Sequence, residues 1–289
     1  MTLTIIAAEP WADYGLIDSG GGRKLERYGR FRFIRPEPQA MWAPADAAAW
    51  RADGEFVAAS DEDGGGRWHL SPDVPSEGWP MAWEDVRFTG QCTPFRHLAF
   101  FPDMTPIWRW MRERTAADAE MLNLFGYTGV GSLALAAQGA RVTHVDASKK
   151  SVQAGKANAH LAGMADRPIR WLVDDAGKFV AREVRRGRRY AGIMLDPPKF
   201  GRGPGGETWR LEDGLPGLLA DCRRLLDGQS RFLMLTVYAV RMSALAISEL
   251  VRQTMADLGG TVEAGELAVR EETRGLLLPT AIFARWSRD

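Results

Sequence analysis

The segment Leu195-Asp196-Pro197-Pro198-Lys199-Phe200 combines residue types that could carry out chemistry. Two successive prolines fix the backbone angle φ and prevent helix formation, so this stretch stays extended. Because proline has no backbone N–H group, the stretch offers acceptors, namely the Asp196 carboxylate and the proline carbonyls. A rigid row of acceptors suits a substrate amino group or the edge of a base. The alternative is a strand-end turn that needs two prolines for its geometry alone.

A glycine-rich segment, Asn123-Leu124-Phe125-Gly126-Tyr127-Thr128-Gly129-Val130-Gly131, lies between an apolar run and a helical pattern. Glycines let the backbone turn sharply and approach a ligand with no side chain in between. Such loops hold either a dinucleotide pyrophosphate or the amino-acid part of S-adenosylmethionine (SAM). The order here is GxxGxG, which fits the pyrophosphate fingerprint GxGxxG poorly. Glycines that serve only a tight turn are the structural alternative.

Acidic residues end the next two apolar runs. Asp146 follows the glycine loop by about 20 residues, the spacing at which a carboxylate can accept both hydroxyls of a ribose. Asp175 can accept a hydrogen bond from an adenine amino group, and we favour it over Asp174 because it lies further beyond the strand. Either acid could instead cap the following helix, as Ser148 could. The glycine loop, the two acidic strand ends and the Asp-Pro-Pro-Lys segment, in this order, indicate a binding site more specifically than any one of them does alone.

The elements that must position these residues follow a strand–helix rhythm from about residue 120 onward. Glycine just past a helix end is a stop signal, and it follows each predicted helix. The predicted strands are Met121–Phe125, Val142–Val145, Trp171–Val173, Ile193–Leu195 and Phe232–Leu235, and the predicted helices include Ser132–Gln138, Ser148–Leu161 and Leu218–Leu226. This order predicts a doubly wound, mostly parallel α/β sheet, which binds ligands beyond the carboxyl ends of its strands.

The first part of the chain has a different character, rich in Trp, Gly and Pro. Tyr28 to Arg35 alternates apolar and charged residues and is predicted to be a strand, preceded by a turn at Ser19-Gly20-Gly21-Gly22. We therefore predict two domains: residues 1–87, a small β-rich accessory or substrate domain, and residues 88–289, which carry the chemistry. The tryptophans of the first domain are interpreted as core anchors, with a base-stacking surface as the alternative.

The composition of the chain argues against several classes of protein. The 289 residues include 37 Lys plus Arg and 37 Asp plus Glu, so net charge gives no support to a nucleic-acid binder, although a local basic face can exist within a neutral total. The two cysteines are far apart and the four histidines lack metal-ligand spacing, which predicts no disulfide framework and no metal site. Without a signal peptide or a run of about 20 apolar residues, the chain is expected to be soluble and cytoplasmic, as a monomer or a homodimer.

The motifs LNLFGYTGVGS, HVDASKK, DDA and LDPPKFGRGP together resemble those of class I SAM-dependent methyltransferases. They are most similar to the bacterial large-subunit ribosomal RNA methyltransferases that include cytosine-C5 enzymes. The resemblance covers residues 88–289 and implies a Rossmann-like, seven-stranded sheet whose final strands, Ala264–Arg270 and Leu276–Arg285, are added in antiparallel fashion. It also implies SAM as the cofactor and S-adenosylhomocysteine (SAH) as the product.

The resemblance further implies site residues. The glycine loop would hold the methionine part of SAM, Asp146 the ribose and Asp175 the adenine amino group, while the segment His97–Pro102 would close over the cofactor. The full implied cofactor set is Phe101, Pro102, Asn123, Phe125, Gly126, Tyr127, Thr128, Gly129, Asp146, Ala147, Ser148, Asp175, Ala176 and Asp196. The implied catalytic residues, lining the methyl-transfer site, are Asp196, Pro197, Pro198 and Lys199.

Two departures from the family pattern bear on the acceptor atom. Cytosine-C5 enzymes need a cysteine thiolate in the loop after strand four or strand five. Neither the loop after the fourth predicted strand, Ile193–Leu195, nor the loop after the fifth, Thr236–Arg241, contains a cysteine. We therefore reject the 5-methylcytosine product. Cys92 and Cys222 are predicted to be structural. Lys199 replaces the aromatic residue of the DPPY motif that adenine-N6 and cytosine-N4 enzymes carry. The acceptor atom therefore stays open.

RNA, ribosomal RNA in particular, is the substrate that the resemblance implies, with protein or a small molecule as other acceptors. The basic run Arg182, Arg185, Arg186, Arg188 and Arg189 could contact phosphates or be a solvated helix end. Two other functions are an NAD(P)-dependent oxidoreductase, against which the glycine spacing argues, and a non-catalytic RNA-binding protein on the same fold.

Overall fold

The computed structural model describes residues 3–59, 65–238 and 242–288. The chain divides into two compact units, which we call the α/β unit (Met1–Ile6, Ile107–Leu267 and Ala281–Asp289) and the β unit (Ala7–Pro106 and Ala268–Thr280). The assignment of an accessory role to residues 1–87 and of the chemistry to residues 88–289 stays a prediction. Among the described residues, none of the helices has the length and apolar character to cross a membrane.

The regular elements are numbered in chain order. The strands are β1 (Thr4–Ala8), β2 (Tyr14–Gly20), β3 (Arg23–Tyr28), β4 (Phe31–Pro36), β5 (Gly54–Ala58), β6 (Gly66–Leu70), β7 (Trp79–Trp83), β8 (Val86–Gly90), β9 (Glu120–Leu124), β10 (Arg141–Asp146), β11 (Ile169–Val173), β12 (Gly192–Leu195), β13 (Phe200–Arg202), β14 (Thr208–Arg210), β15 (Phe232–Tyr238), β16 (Thr261–Arg270) and β17 (Leu277–Ser287). The α-helices are α1 (Thr105–Glu113), α2 (Val130–Ala136), α3 (Lys149–Leu161), α4 (Ala176–Arg185), α5 (Leu211–Arg224) and α6 (Ala244–Thr254).

The large sheet has the order β1-β16-β17-β15-β12-β9-β10-β11. Strands β15, β12, β9, β10 and β11 pair in parallel, and β17 pairs with β15 in antiparallel fashion. The strand order reverses at β9, because the chain proceeds to β10 and β11 on one side and later to β12 and β15 on the other. This confirms the predicted mostly parallel α/β sheet and places its topological switch point between β9 and β12.

The number of strands differs from the prediction. Within the described residues the sheet has eight strands rather than seven, because β1 adds at the edge beside β16. The short run Thr4–Ala8 gives no local signal of a partner more than 250 residues away in the chain. The predicted antiparallel placement of the last strand is confirmed by the pairing of β17 with β15.

Burial on both faces explains why the central strands are continuous apolar runs. All four residues of β12 are buried, as are Phe232 to Val237 of β15. One core cluster contains Leu122, Ile193 and Leu233 from the strands together with residues of α4 and α5. Each large side chain buried in this way contributes about 1.5–3 kcal/mol relative to exposure. The core therefore fixes the sheet whose carboxyl edge carries the predicted site.

Helix α5 is longer than predicted. It begins at Leu211 rather than Leu218 and continues through Pro216, which normally disfavours a helix interior. Leu211 and Leu215 in its first turns are fully buried, and this apolar burial offsets the cost of the proline. Local helix signals miss such a segment because packing against the rest of the molecule decides it.

The β unit contains a five-stranded sheet, β2-β3-β4-β5-β6, and the hairpin β7–β8, which confirms the predicted β-rich character. The predicted glycine turn joins β2 to β3, with Gly21 and Gly22 at φ of 59° and 74°. The predicted strand over Tyr28 to Arg35 is confirmed from Phe31 onward as β4, but its predicted start at Tyr28 is wrong. A turn at Gly29, with φ of 62°, separates β3 from β4 and makes this stretch part of a hairpin.

Candidate active site at the strand ends

Four parallel strands of the α/β unit end side by side. In the sheet, Leu124 of β9 is in register with Val145 of β10 and with Leu195 of β12, and Asp146 is in register with Val173 of β11. The residues that follow these positions are the glycine loop, Asp146, the Asp174–Asp175 pair and Asp196. The structure therefore brings the four sequence motifs to one edge of one sheet, at the switch point.

The glycine loop, residues 125–131, has an unusual backbone. Phe125 and Tyr127 have φ of 57° and 49°, a region that residues with a side chain seldom adopt, and Gly129 has φ of 81°. Three backbone N–H groups fix this path: Gly126 donates to the Val145 carbonyl (3.1 Å), Tyr127 to Asp146 Oδ2 (2.9 Å) and Gly129 to the Gly126 carbonyl (3.0 Å). Such over-determined strain is typical of ligand-binding segments.

Gly126 is required for a steric reason. A Cβ atom at this position would lie 2.4 Å from Cε1 and 2.5 Å from Nδ1 of His144, which is far inside van der Waals contact. Gly129 and Gly155 have a similar relation to Trp171, with Cβ positions 2.9 and 2.5 Å from its ring. Gly126 and Gly129 of the loop therefore lie directly against the buried His144 and the half-buried Trp171, and Gly155 brings α3 against the same Trp171 ring. A turn-only interpretation does not require these contacts.

A buried network of three polar side chains lies under the glycine loop. Asn123 Nδ2 donates to Ser132 Oγ (2.9 Å), and Ser132 Oγ lies 2.9 Å from His144 Nδ1. Asn123 and His144 are about 1% exposed or less, and Asn123 Oδ1 and His144 Nε2 have no hydrogen-bond partner among the described residues. Asn123, predicted to bind the cofactor, thus lies under the loop. Sequence reasoning identified neither Ser132 nor His144 as part of the site.

Burial lowers the pKa of His144 from 6.5 to about 3, so the ring is neutral at neutral pH. The unfolded chain takes up a proton on this residue below about pH 6.5, while the folded protein does not. The histidine therefore destabilises the fold as pH falls from 6.5 toward 3, at up to about 1.4 kcal/mol per pH unit.

We expect His144→Asn to reduce the pH dependence of stability. The measurement is the free energy of unfolding by urea between pH 7 and pH 4, with the exposed His160→Asn as the matched control. Half-buried His97, whose pKa desolvation also lowers to about 3, contributes equally in all three proteins. The slope should become shallower by up to one proton in His144→Asn and stay unchanged in His160→Asn. Equal slopes in the wild type and His144→Asn would contradict the neutral buried ring.

Asp146 lies half-buried at the end of β10. Its Oδ2 accepts from Tyr127 N and its Oδ1 from Ser148 N (2.8 Å). Burial raises its pKa from the usual 3.8, while the two backbone donors act in the opposite direction. Ser148, not Asp146, is the N-cap of α3, accepting from Ser151 N (3.2 Å). Helix capping therefore does not account for Asp146.

The acids after β11 have separate partners. Asp175 is the N-cap of α4, with Oδ1 accepting from Lys178 N at 2.8 Å, so the capping alternative holds for one oxygen of this carboxylate. Asp174 forms an ion pair with Arg182 and accepts from Asp175 N. An adenine amino group would have to use the second oxygen of Asp175, beside the backbone of Ala176. Both contacts stay predictions.

The Asp-Pro-Pro-Lys loop is anchored on two sides. Thr236 Oγ1 of β15 donates to Asp196 Oδ1 (2.7 Å), and Trp209 Nε1 donates to the Pro198 carbonyl (2.7 Å). Trp209 thus occupies one acceptor position of the Pro198 carbonyl, whose second lone pair stays a predicted acceptor. Asp196 is half-buried and Pro197 is buried, whereas Pro198 and Lys199 are exposed.

The chain continues from this loop into a short hairpin, β13–β14, which sequence reasoning missed. Strands of three residues are too short to show an alternation, although Gly203-Pro204-Gly205-Gly206 carries a turn signal. Trp209 of β14 packs against Phe125 of the glycine loop, with ring centroids 5.2 Å apart. This one side chain thus contacts both the glycine loop and the Pro198 carbonyl.

Three groups of predicted residues lie outside this arrangement or have other partners. Phe101 and Pro102 belong to the β unit, so their closure over the cofactor stays a prediction. Burial raises the pKa of the Cys92 thiol to about 12 and that of Cys222 still higher, so neither is a thiolate at neutral pH. In the basic run, Arg182, Arg186 and Arg188 pair with carboxylates, which weakens its case as a phosphate-binding surface.

Comparison with known proteins identifies the fold and chemistry. A family model described as S-adenosylmethionine-dependent methyltransferase matches residues 35–229, more than half of the chain. The crystal structure of a SAM-dependent methyltransferase from Agrobacterium tumefaciens is 45% identical, with a TM-score of 0.95, and the match covers 100% of this chain and 95% of that one. SMU.776, crystallised with SAH, is 17% identical with a TM-score of 0.75 over 95% of this chain and 75% of that one, and shares the fold.

Curated relatives match a shorter region. Ribosomal RNA large subunit methyltransferase I of Alteromonas mediterranea is 34% identical over 86 residues, 29% of this chain and 22% of that protein. Ribosomal RNA large subunit methyltransferase K/L of Methylococcus capsulatus is 36% identical over 95 residues, 32% of this chain and 13% of that protein. The match thus covers less than a quarter of the length of each relative.

Proposed function

This chain belongs to the SAM-dependent methyltransferase family, and on that premise we propose that it transfers the methyl group of SAM to RNA, ribosomal RNA in the first instance. The observation that carries the proposal is the meeting of the glycine loop, Asp146 and the Asp-Pro-Pro-Lys loop at one sheet edge. Neither an NAD(P)-dependent oxidoreductase nor a non-catalytic RNA-binding protein is favoured by this family membership.

The groups at the strand ends fit SAM in chemical type. The Asp146 carboxylate, held by two backbone N–H groups, offers its remaining lone pairs to donors such as the ribose hydroxyls. Asp175 offers an acceptor for the adenine amino group, and Gly126, by fitting against His144, allows the loop path along which the methionine part would lie. The proposed cofactor set also includes Asn123, Phe125, Tyr127, Thr128, Gly129, Ala147, Ser148, Ala176 and Asp196, while Phe101 and Pro102 stay predicted members of it.

To catalyse methyl transfer, this protein mainly has to position the two reacting groups. When bound, SAM supplies a methyl group on a positively charged sulfur, which makes that carbon electrophilic. The Asp196 carboxylate and the Pro197 carbonyl are the acceptors that can hold and orient the attacking group of the substrate. Correct orientation of two reacting groups can lower a barrier by several kcal/mol. Lys199, exposed beside them, can attract an anionic or polar part of the substrate.

RNA is favoured as substrate by the names of the curated relatives, which act on ribosomal RNA. The match to those proteins is partial, so a direct test is needed. We expect ribosomal RNA from a strain lacking this gene to lose a single methylated nucleoside relative to its parent, as measured by mass spectrometry. Restoration by the wild-type gene but not by an Asp196→Ala allele is the control. Unchanged nucleosides together with methyl transfer to a protein or small molecule would replace RNA as the acceptor.

A cytoplasmic location and an accessory substrate-binding role for residues 1–87 belong to the same proposal. Both follow from an RNA substrate rather than from a contact in the structure.

A further inference from the structure

We propose that the outer face of the hairpin β13–β14 binds an unpaired segment of the RNA substrate beside the methyl-transfer site. This inference rests on the proposed function and adds the surface that recognises the acceptor strand. The hairpin follows the Asp-Pro-Pro-Lys loop without interruption, since β13 begins at Phe200. Whatever this face binds is therefore held next to Asp196 and Lys199.

The two faces of the hairpin differ in their contacts. Phe200 is in register with Arg210, Gly201 with Trp209, and Arg202 with Thr208. Because side chains alternate along a strand, Phe200, Arg202, Thr208 and Arg210 share one face, and Trp209 points to the other. The burial pattern agrees, with the four residues of the first face exposed and Gly201 and Trp209 half-buried.

The inner face fixes the hairpin in place. Trp209 donates to the Pro198 carbonyl and packs on Phe125. Its ring also lies close to Gly214 of α5, where an added Cβ would be only 2.6 Å from the ring. In the connecting turn, Glu207 forms an ion pair with Lys178 of α4 and accepts from Gly205 N at 2.9 Å. The acid of the hairpin is thus engaged with α4, which leaves the outer face without a negative charge of its own.

The outer face carries two cations and an aromatic ring. Arg202 and Arg210 have no carboxylate partner among the described residues, and Phe200 is 55% exposed. The acids that follow, Glu212 and Asp213, belong to the first turn of α5, where negative charge suits the helix end. Guanidinium groups bind phosphates, and an exposed ring can stack on a base only if that base is not already paired and stacked. This combination fits a single-stranded nucleic acid.

The test measures binding of a fluorescein-labelled 12-nucleotide oligouridine to the SAH-saturated full chain by fluorescence anisotropy over a range of KCl concentrations. We expect Arg202→Gln/Arg210→Gln to weaken binding at least about tenfold near 0.15 M salt. It should also reduce the slope of log K against log salt by about 1.4, since each phosphate contact to a single strand contributes about 0.7. The matched control is Arg141→Gln/Arg231→Gln, which removes two exposed arginines at the opposite, amino edge of the sheet.

The aromatic contribution is tested separately. Phe200→Ala should weaken oligouridine binding about tenfold without changing the salt slope, and Phe200→Trp should restore it, because a ring of either kind stacks on bases. A duplex of the same length should bind more weakly than the single strand and be insensitive to Phe200→Ala. Thermal unfolding and SAH affinity, both expected to match the wild type, show that each variant is folded.

The possible outcomes distinguish failure of the hairpin proposal from failure of the proposed RNA methyltransferase function. If the wild type methylates ribosomal RNA and the hairpin variants bind and methylate RNA as well as the wild type does, the hairpin inference is wrong and the proposed function stands. Loss of oligouridine affinity in the amino-edge control equal to that in the hairpin variant would also overturn it. If the variants lose methylation of a protein acceptor instead, the surface binds protein. If the wild type neither binds nor methylates RNA, both proposals fail.

Discussion

Replacing Asp196 with alanine is expected to lower kcat at least about 100-fold while the affinity for SAH stays within about threefold of wild type. The carboxylate lies at the end of β12, held by the Thr236 hydroxyl at 2.7 Å, and no other carboxylate follows that strand before the hairpin. Its removal takes away the acceptor that orients the substrate but leaves the glycine loop and Asp146 in place. Methyl transfer to ribosomal RNA and calorimetric titration with SAH measure the two quantities.

Two further variants distinguish orientation from simple loss of structure. Asp196→Asn keeps the size of the side chain and an oxygen for Thr236, so any large loss of kcat reports the charge. Thr236→Val removes only the hydroxyl that positions Asp196 and should cost less, about tenfold, with RNA KM little changed. Full turnover in Asp196→Ala would refute a role for this residue in catalysis.

Replacing Gly126 with alanine is expected to weaken SAH binding at least about 100-fold. The new Cβ would meet His144 at 2.4 Å, and His144 is fully buried, so the loop itself must move. A hundredfold loss of affinity corresponds to about 2.7 kcal/mol, which the cost of moving an overpacked loop can supply. Calorimetry with SAH is the measurement, and the free energy of unfolding should fall as well, since overpacking typically costs about 1–3 kcal/mol.

The double variant Gly126→Ala/His144→Ala tests the cause of that loss. Removing the ring takes away the clash, so SAH affinity should recover in part relative to Gly126→Ala. Gly217→Ala is the matched control, because a Cβ there meets nothing within 4 Å and the position is helical; it should leave affinity unchanged. Wild-type affinity in Gly126→Ala would show that the loop does not need its observed path.

The sequence predicted the parts of the site that rest on local chain chemistry. Phe125 to Gly131, Asp146 and Asp196 all lie at strand ends as expected, because short apolar runs bounded by polar residues specify parallel strands. The position of α3 was predicted to within one residue, since Ser148 and Gly163 mark its two ends. Polar residues at such ends therefore identified the sheet edge without any long-range information.

The parts that were missed depend on residues distant in the chain. In the sequence His144 is one polar residue within the predicted strand Val142–Val145, and only the fold places its ring under Gly126. Trp209 follows Pro198 by 11 residues in a hairpin too short to show a pattern, so its hydrogen bond to the proline carbonyl was not foreseeable. Strand β1 joins the sheet beside β16, a pairing that local propensity does not encode.

A crystal structure of the protein with SAH tests the proposed cofactor site directly. We expect the nucleoside at the carboxyl edge of β9, β10, β11 and β12, with its ribose hydroxyls on the Asp146 carboxylate, its adenine beside Asp175 and its sulfur facing Asp196. An SAH molecule bound elsewhere, or Asp146 and Asp175 directed away from the bound nucleoside, would contradict it.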